Sequence, residues 1–397
     1  MPHRVNANSG RKTPWMFMLF VLAAGVAAVS SMSAWDAVLG AEAYSATSPG
    51  PADLPEPARH GDANNPADAN SPADANSPAE PEPIVWYGMM PHPYINDVSI
   101  GVEAGAKDNK IKVLKVIGRE WTQDNEDLNI AGVSGSGHKA FSVYPADPAG
   151  ANALFKRLKD AGRIVVCYGA EPDLPTPAAF TVATDIKRAA ALAAEHLIKL
   201  MGDRGNILCI LEVATDINTK KRHAGIREAV AKHPNVKITQ TIPDMTQVSV
   251  AKEKIGAALA EGGGEIDGII TTAWNPTLAA AAVLTDWHKD PAHKRVRFIG
   301  LDTAPSVLKA IESGSIDATV AQNVFAHGYL TTAILKLMLD GWTPVKEYQF
   351  IDSGIVIVTK ANVGTYERQL RELTAGIASN LKGTTKYLKP PAGTGPR

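Results

Sequence analysis

A surplus of charge is what this chain most plainly lacks. Its 40 basic residues are matched by 41 acidic ones, for a net charge of −1, and the two signs are interspersed. No segment supplies the basic face that binding to a phosphate backbone needs, which excludes nucleic acid as a partner. Cysteine is scarce: Cys167 and Cys209 each lie within an apolar run, Ile164 to Cys167 and Ile207 to Leu211. That setting suits small buried strand residues, with a disulfide between them as the alternative. Catalytic patterns are missing as well. His288 and His293 flank Asp290-Pro291 without a third ligand in sequence, and no Gly-x-Ser-x-Gly elbow occurs. The stretch Gly132-Val133-Ser134-Gly135-Ser136-Gly137-His138-Lys139 puts His138 where a phosphate loop requires lysine and Ala140 where it requires a hydroxyl, so it reads as a helix-to-strand turn. Neither metal, cofactor nor catalysis is expected.

What is there divides into regions. Arg4, Arg11 and Lys12 precede an apolar stretch from Trp15 to Val29, as in a secretory signal. Small-residue exits follow at Ser31 to Ala34 and at Ala41-Glu42-Ala43; read on through Leu39, the segment is instead an uncleaved anchor of ~20 residues. Residues 1–43 are therefore an export signal or an N-terminal anchor. Residues 44–83 repeat Pro, Ala, Asp and Asn without apolar periodicity and read as a solvated tether.

From Ile84 the pattern changes. Near-continuous apolar runs (Ile84 to Met90, Ile111 to Ile117, Ala140 to Val143, Ile164 to Tyr168, Ile207 to Leu211, Val236 to Ile242, Ile266 to Thr271, Val296 to Leu301) alternate with helical stretches. Such runs predict α/β lobes, each a parallel sheet covered by helices on both faces. One helix is predicted to start at a capping Asp185, to bury Ala189, Leu192, His196 and Leu200, and to end at Met201-Gly202. Tyr366, Leu370, Leu373, Ile377 and Leu381 predict an amphipathic C-terminal helix within 362–397, docked on the body or offered to a partner, with a disordered tail beyond Lys389.

Two strand ends carry polar groups: Phe298-Ile299-Gly300-Leu301 ends in Asp302, and Ile316 to Ala321 ends in Gln322. Open α/β sheets place ligands at such ends. Asp302 before Thr303-Ala304-Pro305 also fits a helix cap. Planar side chains that each engage neighbouring hydroxyls, with aromatic rings over apolar faces, are what a sugar requires.

These strand ends, with Met90-Pro91-His92-Pro93-Tyr94-Ile95-Asn96, resemble the type I periplasmic sugar-binding protein family, which includes ribose-binding protein, over about residues 84 to 360. The resemblance implies a two-lobed fold with a hinge of three crossings: 84–184 with 323–350 as lobe one, and 185–322 with 351–361 as lobe two. It assigns ligand contacts to Asp302 and Gln322, and to Arg222 through the run Arg222 to Val230. Tyr94 and His92 stand where the family has an aromatic and an amide, and Trp274-Asn275 where it has an asparagine. One position departs: Tyr168-Gly169-Ala170-Glu171 replaces the Asp-Arg that anchors ribose, so a ligand other than ribose is implied. The implied function is that of an exported, monomeric, non-enzymatic solute-binding protein that hands a sugar-like ligand to an ABC transporter permease. The alternative is the sensing part of a membrane signalling system. A LacI-type repressor shares the fold, but its DNA-binding headpiece has no counterpart here, because the export segment and tether occupy that space.

Overall fold

The computed structural model describes residues 84–262, 264–382 and 386–391. The expected export segment, the tether and residues 392–397 lie outside the described residues.

The apolar runs form two six-stranded sheets. In the first, β1 (Ile84–Gly88), β2 (Val113–Ile117), β3 (Ala140–Val143), β4 (Ile164–Tyr168) and β5 (Phe180–Ala183) join β12 (Gln349–Asp352) in the order β12-β5-β4-β3-β1-β2, all parallel. In the second, β6 (Gly205–Ile210), β7 (Val236–Ile242), β8 (Ile266–Thr271), β9 (Arg297–Leu301) and β10 (Ala318–Gln322) are parallel, and β13 (Ile355–Thr359) closes the order β13-β10-β9-β8-β6-β7 antiparallel to β10. Central strands such as β1 and β3 are buried along their whole length, as strands covered on both faces must be.

Helices α1 (Pro93–Asp108), α2 (Gln123–Ser134), α3 (Ala151–Asp160) and α9 (Val324–Leu339) pack on the first sheet. The second carries α4 (Ile186–Met201), α5 (Ile217–Val230), α6 (Val248–Gly262), α7 (Trp274–Trp287) and α8 (Pro305–Ser313). Two helix pairs meet backbone to backbone. A Cβ placed on Gly101 of α1 would stand 2.1 Å from the Phe325 carbonyl oxygen on α9, and one on Gly225 of α5 would stand 2.1 Å from that of Lys187 on α4.

That second approach corrects the sequence reading of α4. Its caps are as expected, with Asp185 accepting from the Arg188 N–H and Gly202 in the left-handed region. Its buried face, however, is Ala189, Ala190, Ala193, Ala194, Leu197 and Ile198, whereas Leu192 is 41% exposed and His196 only half-buried. The close neighbour selects alanines for the contact, and bulky residues are turned aside. Cys167 on β4 and Cys209 on β6 are buried and unbridged, in different sheets.

The chain passes between the sheets at Thr184–Asp185, at Gln322–Asn323 and at Ser353–Gly354. Asp352 still pairs with Ala183 in the first sheet, so this last passage falls beyond the 350/351 boundary suggested by the sequence. Beyond β13, α10 (Tyr366–Ser379) leads to β14 (Leu388–Lys389), which pairs antiparallel with β11 (Thr343–Pro344).

Candidate functional site

Parallel strands deliver their following residues to one edge of each sheet, and the polar groups singled out in lobe two collect there. Asp302 follows β9 with φ +69, a left-handed conformation that costs a non-glycine residue about 1 kcal/mol or more. It is held by its own N–H donating to Val320 O at 2.8 Å and by Thr319 Oγ1 donating to Asp302 O at 2.7 Å. Gln322, at the end of β10, donates from Nε2 to Asp302 Oδ1 at 2.9 Å. The two predicted residues are thus directly joined.

Arg222 projects from α5 and donates to Thr272 O, at the end of β8, over 3.1 Å. Burial lowers its pKa, against the opposing pull of Asp302, Asp216 and Glu212. Burial likewise raises the Asp302 carboxyl above the usual range, against the Gln322 hydrogen bond and Arg222. Each charge is therefore costly where it stands and eased by the other. Such a pair gains from additional hydroxyl partners, which complete the lone pairs and N–H groups left over.

Asn275 opens α7 and donates from Nδ2 both to Glu212 Oε1 at 2.7 Å and to Thr246 O at 3.0 Å. Beside it Trp274 is 45% exposed, too open for a core residue. Glu212 went unnoticed in the sequence. It stands two residues past the end of β6, where Asp302 stands one past β9, and burial raises its carboxyl pKa while Asn275 and Arg222 oppose the rise. A strand-end acid in Leu211-Glu212-Val213 was the available sign.

The lobe-one edge is aromatic. Tyr94, in the first turn of α1, gives its hydroxyl to a 2.9 Å hydrogen bond with His327 Nδ1, and its ring stands edge-on to Tyr144 at 6.2 Å. His92 caps the same helix, its Nδ1 accepting from the Tyr94 N–H at 3.1 Å, and is exposed. Tyr144, after β3, continues the series to Tyr168 at 5.7 Å and outward to Trp121 at 5.2 Å, which is 48% exposed. Burial, with Asp216 of lobe two adding repulsion, pushes the Tyr144 phenol up to about 12. Tyr144 and Trp121 were missed, since an aromatic after a short strand looks the same whether it turns inward or toward a ligand.

The departure at Gly169 has a structural counterpart. Gly169 has φ +74, and a Cβ there would lie 2.1 Å from the Tyr94 hydroxyl and 2.8 Å from the Tyr144 ring. The tyrosines occupy the space that a longer side chain would need. Glu171 accepts from the Tyr348 hydroxyl at 2.6 Å. The loop after Tyr144 is tied down by α2: the Ala146 N–H donates to Glu126 Oε2 at 2.7 Å and the Asp147 N–H to Gln123 Oε1 at 3.3 Å.

Two sheets joined by repeated crossings, with polar and aromatic groups at their carboxyl edges, define a two-lobed solute-binding fold. The chain belongs to the periplasmic binding protein domain family, whose sequence model matches residues 86–343. It is 24% identical over 238 residues to the xylitol-binding protein of Mycolicibacterium smegmatis, covering 58% of this chain and 64% of that one. It is 25% identical over 231 residues to the D-apiose import binding protein of Paraburkholderia graminis, covering 57% of this chain and 71% of that one. Among solved structures, a solute-binding protein of an ABC transporter from Burkholderia graminis, in complex with D-arabinose, superposes with a TM-score of 0.60 at 21% identity, covering 73% of this chain and 99% of that one. No helix among the described residues is long and apolar enough to cross a membrane.

Proposed function

We propose that the protein is an exported, non-enzymatic solute receptor that encloses a sugar or polyol between its lobes and passes it to the permease of an ABC transporter. The observation that carries this reading is the hydrogen-bonded pair Asp302 and Gln322 at the carboxyl edge of lobe two, with the half-buried Arg222 close enough to oppose the rise of the Asp302 carboxyl and Trp274 exposed at the start of α7. A carboxylate, an amide and a guanidinium offer fixed acceptors and donors to adjacent hydroxyls, and the indole covers a ring face or carbon chain. Asn275 contributes its carbonyl. Tyr94 contributes its ring, because its hydroxyl is spent on His327, and His92 contributes its free ring nitrogen from the rim. A ligand that touches both edges favours the closed lobes, and only contacts made in the closed state shift that balance.

The filled first-lobe edge at Gly169 argues for a ligand not anchored as ribose is. The relatives named for xylitol and D-apiose support a pentitol or a branched pentose as the ligand. Delivery is tested by reconstituting the protein with a sugar ABC permease of its own source organism and measuring ATP hydrolysis with and without xylitol, D-apiose or D-arabinose. Stimulation that needs both ligand and protein, and is lost in Asp302→Ala, supports transport. Ligand binding without stimulation, paired with activation of a neighbouring membrane kinase, would replace the transporter by a sensor.

A further inference from the structure

The hinge contains one continuous buried hydrogen-bond network. Tyr94 of the lobe-one edge bonds His327 Nδ1 at 2.9 Å, and His327 Nε2 bonds Ser353 Oγ at 3.1 Å. Ser353 Oγ meets Thr184 Oγ1 at 3.3 Å, and Ser353 O accepts from Asn323 Nδ2 at 3.0 Å. Thr184, Asn323 and Ser353 sit at the three crossings, so the first and second passages of the chain between lobes are each tied to the third through Ser353. The other Asn323 Nδ2 hydrogen is shared between Thr374 Oγ1 at 3.1 Å and Leu370 O at 3.2 Å, both on α10. Thr184, Asn323, His327, Ser353 and Thr374 are all buried.

Helix α10 also grips both lobes. Its start belongs to lobe two, where Tyr366 and Leu370 pack on the core. Its end belongs to lobe one, where Ile377 and Leu381 join the core and β14 pairs with β11. Midway, the Arg371 guanidinium lies 3.2 Å above the Phe325 ring of α9. The segment is a fourth span across a hinge that the sequence credits with three.

We propose that α10 is a strap which restrains lobe opening, and that Thr374, Asn323, Ser353 and His327 are positioning residues through which it fixes the lobe angle and the Tyr94 ring. The role of Tyr94 rests on the ligand site proposed above; the restraint on the lobes does not. Opening rotates the crossings against one another, and a buried network satisfied in one arrangement resists any other. The free protein is therefore held near its binding geometry, which reduces the ordering cost of capture.

The test uses ligand-free protein with spin labels on Lys159→Cys in lobe one and Lys254→Cys in lobe two, since Cys167 and Cys209 are buried and do not compete. Pulsed electron–electron distance measurements are expected to give one narrow distribution for the otherwise unaltered protein. Thr374→Val, which keeps the shape and removes the hydroxyl, is expected to broaden it and add a second, displaced population, and Thr374→Ser to restore the narrow form. Arg371→Ala, at an exposed position, is expected to broaden it less; that variant decides the matter if Thr374→Val does not fold. Superimposable distributions in all folded variants would overturn the strap. Because no ligand is used, failure here is distinct from failure of the site, which would appear as absent binding with the distances unchanged.

Discussion

Glu126 offers a sharp test of how this fold handles charge. It is fully buried on α2, accepts the Ala146 N–H at 2.7 Å and a weaker 3.3 Å bond from Gln123 Nε2, and has Asp127 and Asp147 as neighbours of like charge. Tyr87 on β1 and Cys167 and Tyr168 on β4 feel its charge, while Arg157 of α3 is committed to Asp127 at 2.7 Å. Burial pushes the carboxyl from 4.5 up to about 7, against the two hydrogen bonds. A folded-state pKa raised above the unfolded one contributes stability that is fully present below pH 4.5 and lost as pH rises through 7. At 1.36 kcal/mol per unit, the interval amounts to about 3 kcal/mol. Glu126→Gln keeps an acceptor for Ala146 and removes the ionisation. Urea unfolding is expected to show the variant near neutral at pH 5 and more stable than wild type by about 2–3 kcal/mol at pH 8. A difference between variant and wild type that does not change with pH would refute the reasoning.

His327 predicts the opposite trend. Burial lowers its pKa from 6.5 to about 3, against Asp352, so its stabilisation is present above pH 6.5 and lost as pH falls toward 3, by about 4–5 kcal/mol at the limit; acid unfolding compared with His327→Asn measures it, and identical acid midpoints would contradict it. Gly101→Ala drives a methyl into the Phe325 carbonyl, and thermal unfolding should show a loss of about 1–3 kcal/mol. Asp302→Ala is expected to weaken ligand affinity by about 2–3 kcal/mol in calorimetric titration while far-ultraviolet circular dichroism stays unchanged. Trp274→Ala should cost about 1–3 kcal/mol of binding if the indole covers the ligand; lost stability with affinity intact would return it to the core.

The sheets and the polar strand ends were legible in the sequence for one physical reason. A strand buried on both faces shows as an unbroken apolar run, and its last residue marks where the backbone leaves the core. Phe298 to Leu301 therefore announced Asp302, and the same rule would have found Glu212 after Ile207 to Leu211. The α4 face was misjudged because its packing is governed by the backbone approach at Gly225, a tertiary fact that leaves only alanines as its trace. Tyr144 and Trp121 stayed hidden because a loop aromatic has no periodicity to declare its direction. The hinge network was illegible altogether: Thr374 is a polar residue between the apolar positions of an amphipathic helix, and only the folded chain brings it to Asn323.

The measurement that bears most directly on the account is thermal unfolding of the protein against xylitol, D-apiose, D-arabinose and a wider panel of pentoses, hexoses and polyols, with Asp302→Ala run alongside. A ligand at 100 times its dissociation constant should stabilise the folded state by about 2.7 kcal/mol. The account predicts that at least one neutral sugar or polyol raises the unfolding temperature of the wild type and not of the variant. An unmoved unfolding temperature across the whole panel, or equal shifts in both proteins, would contradict it.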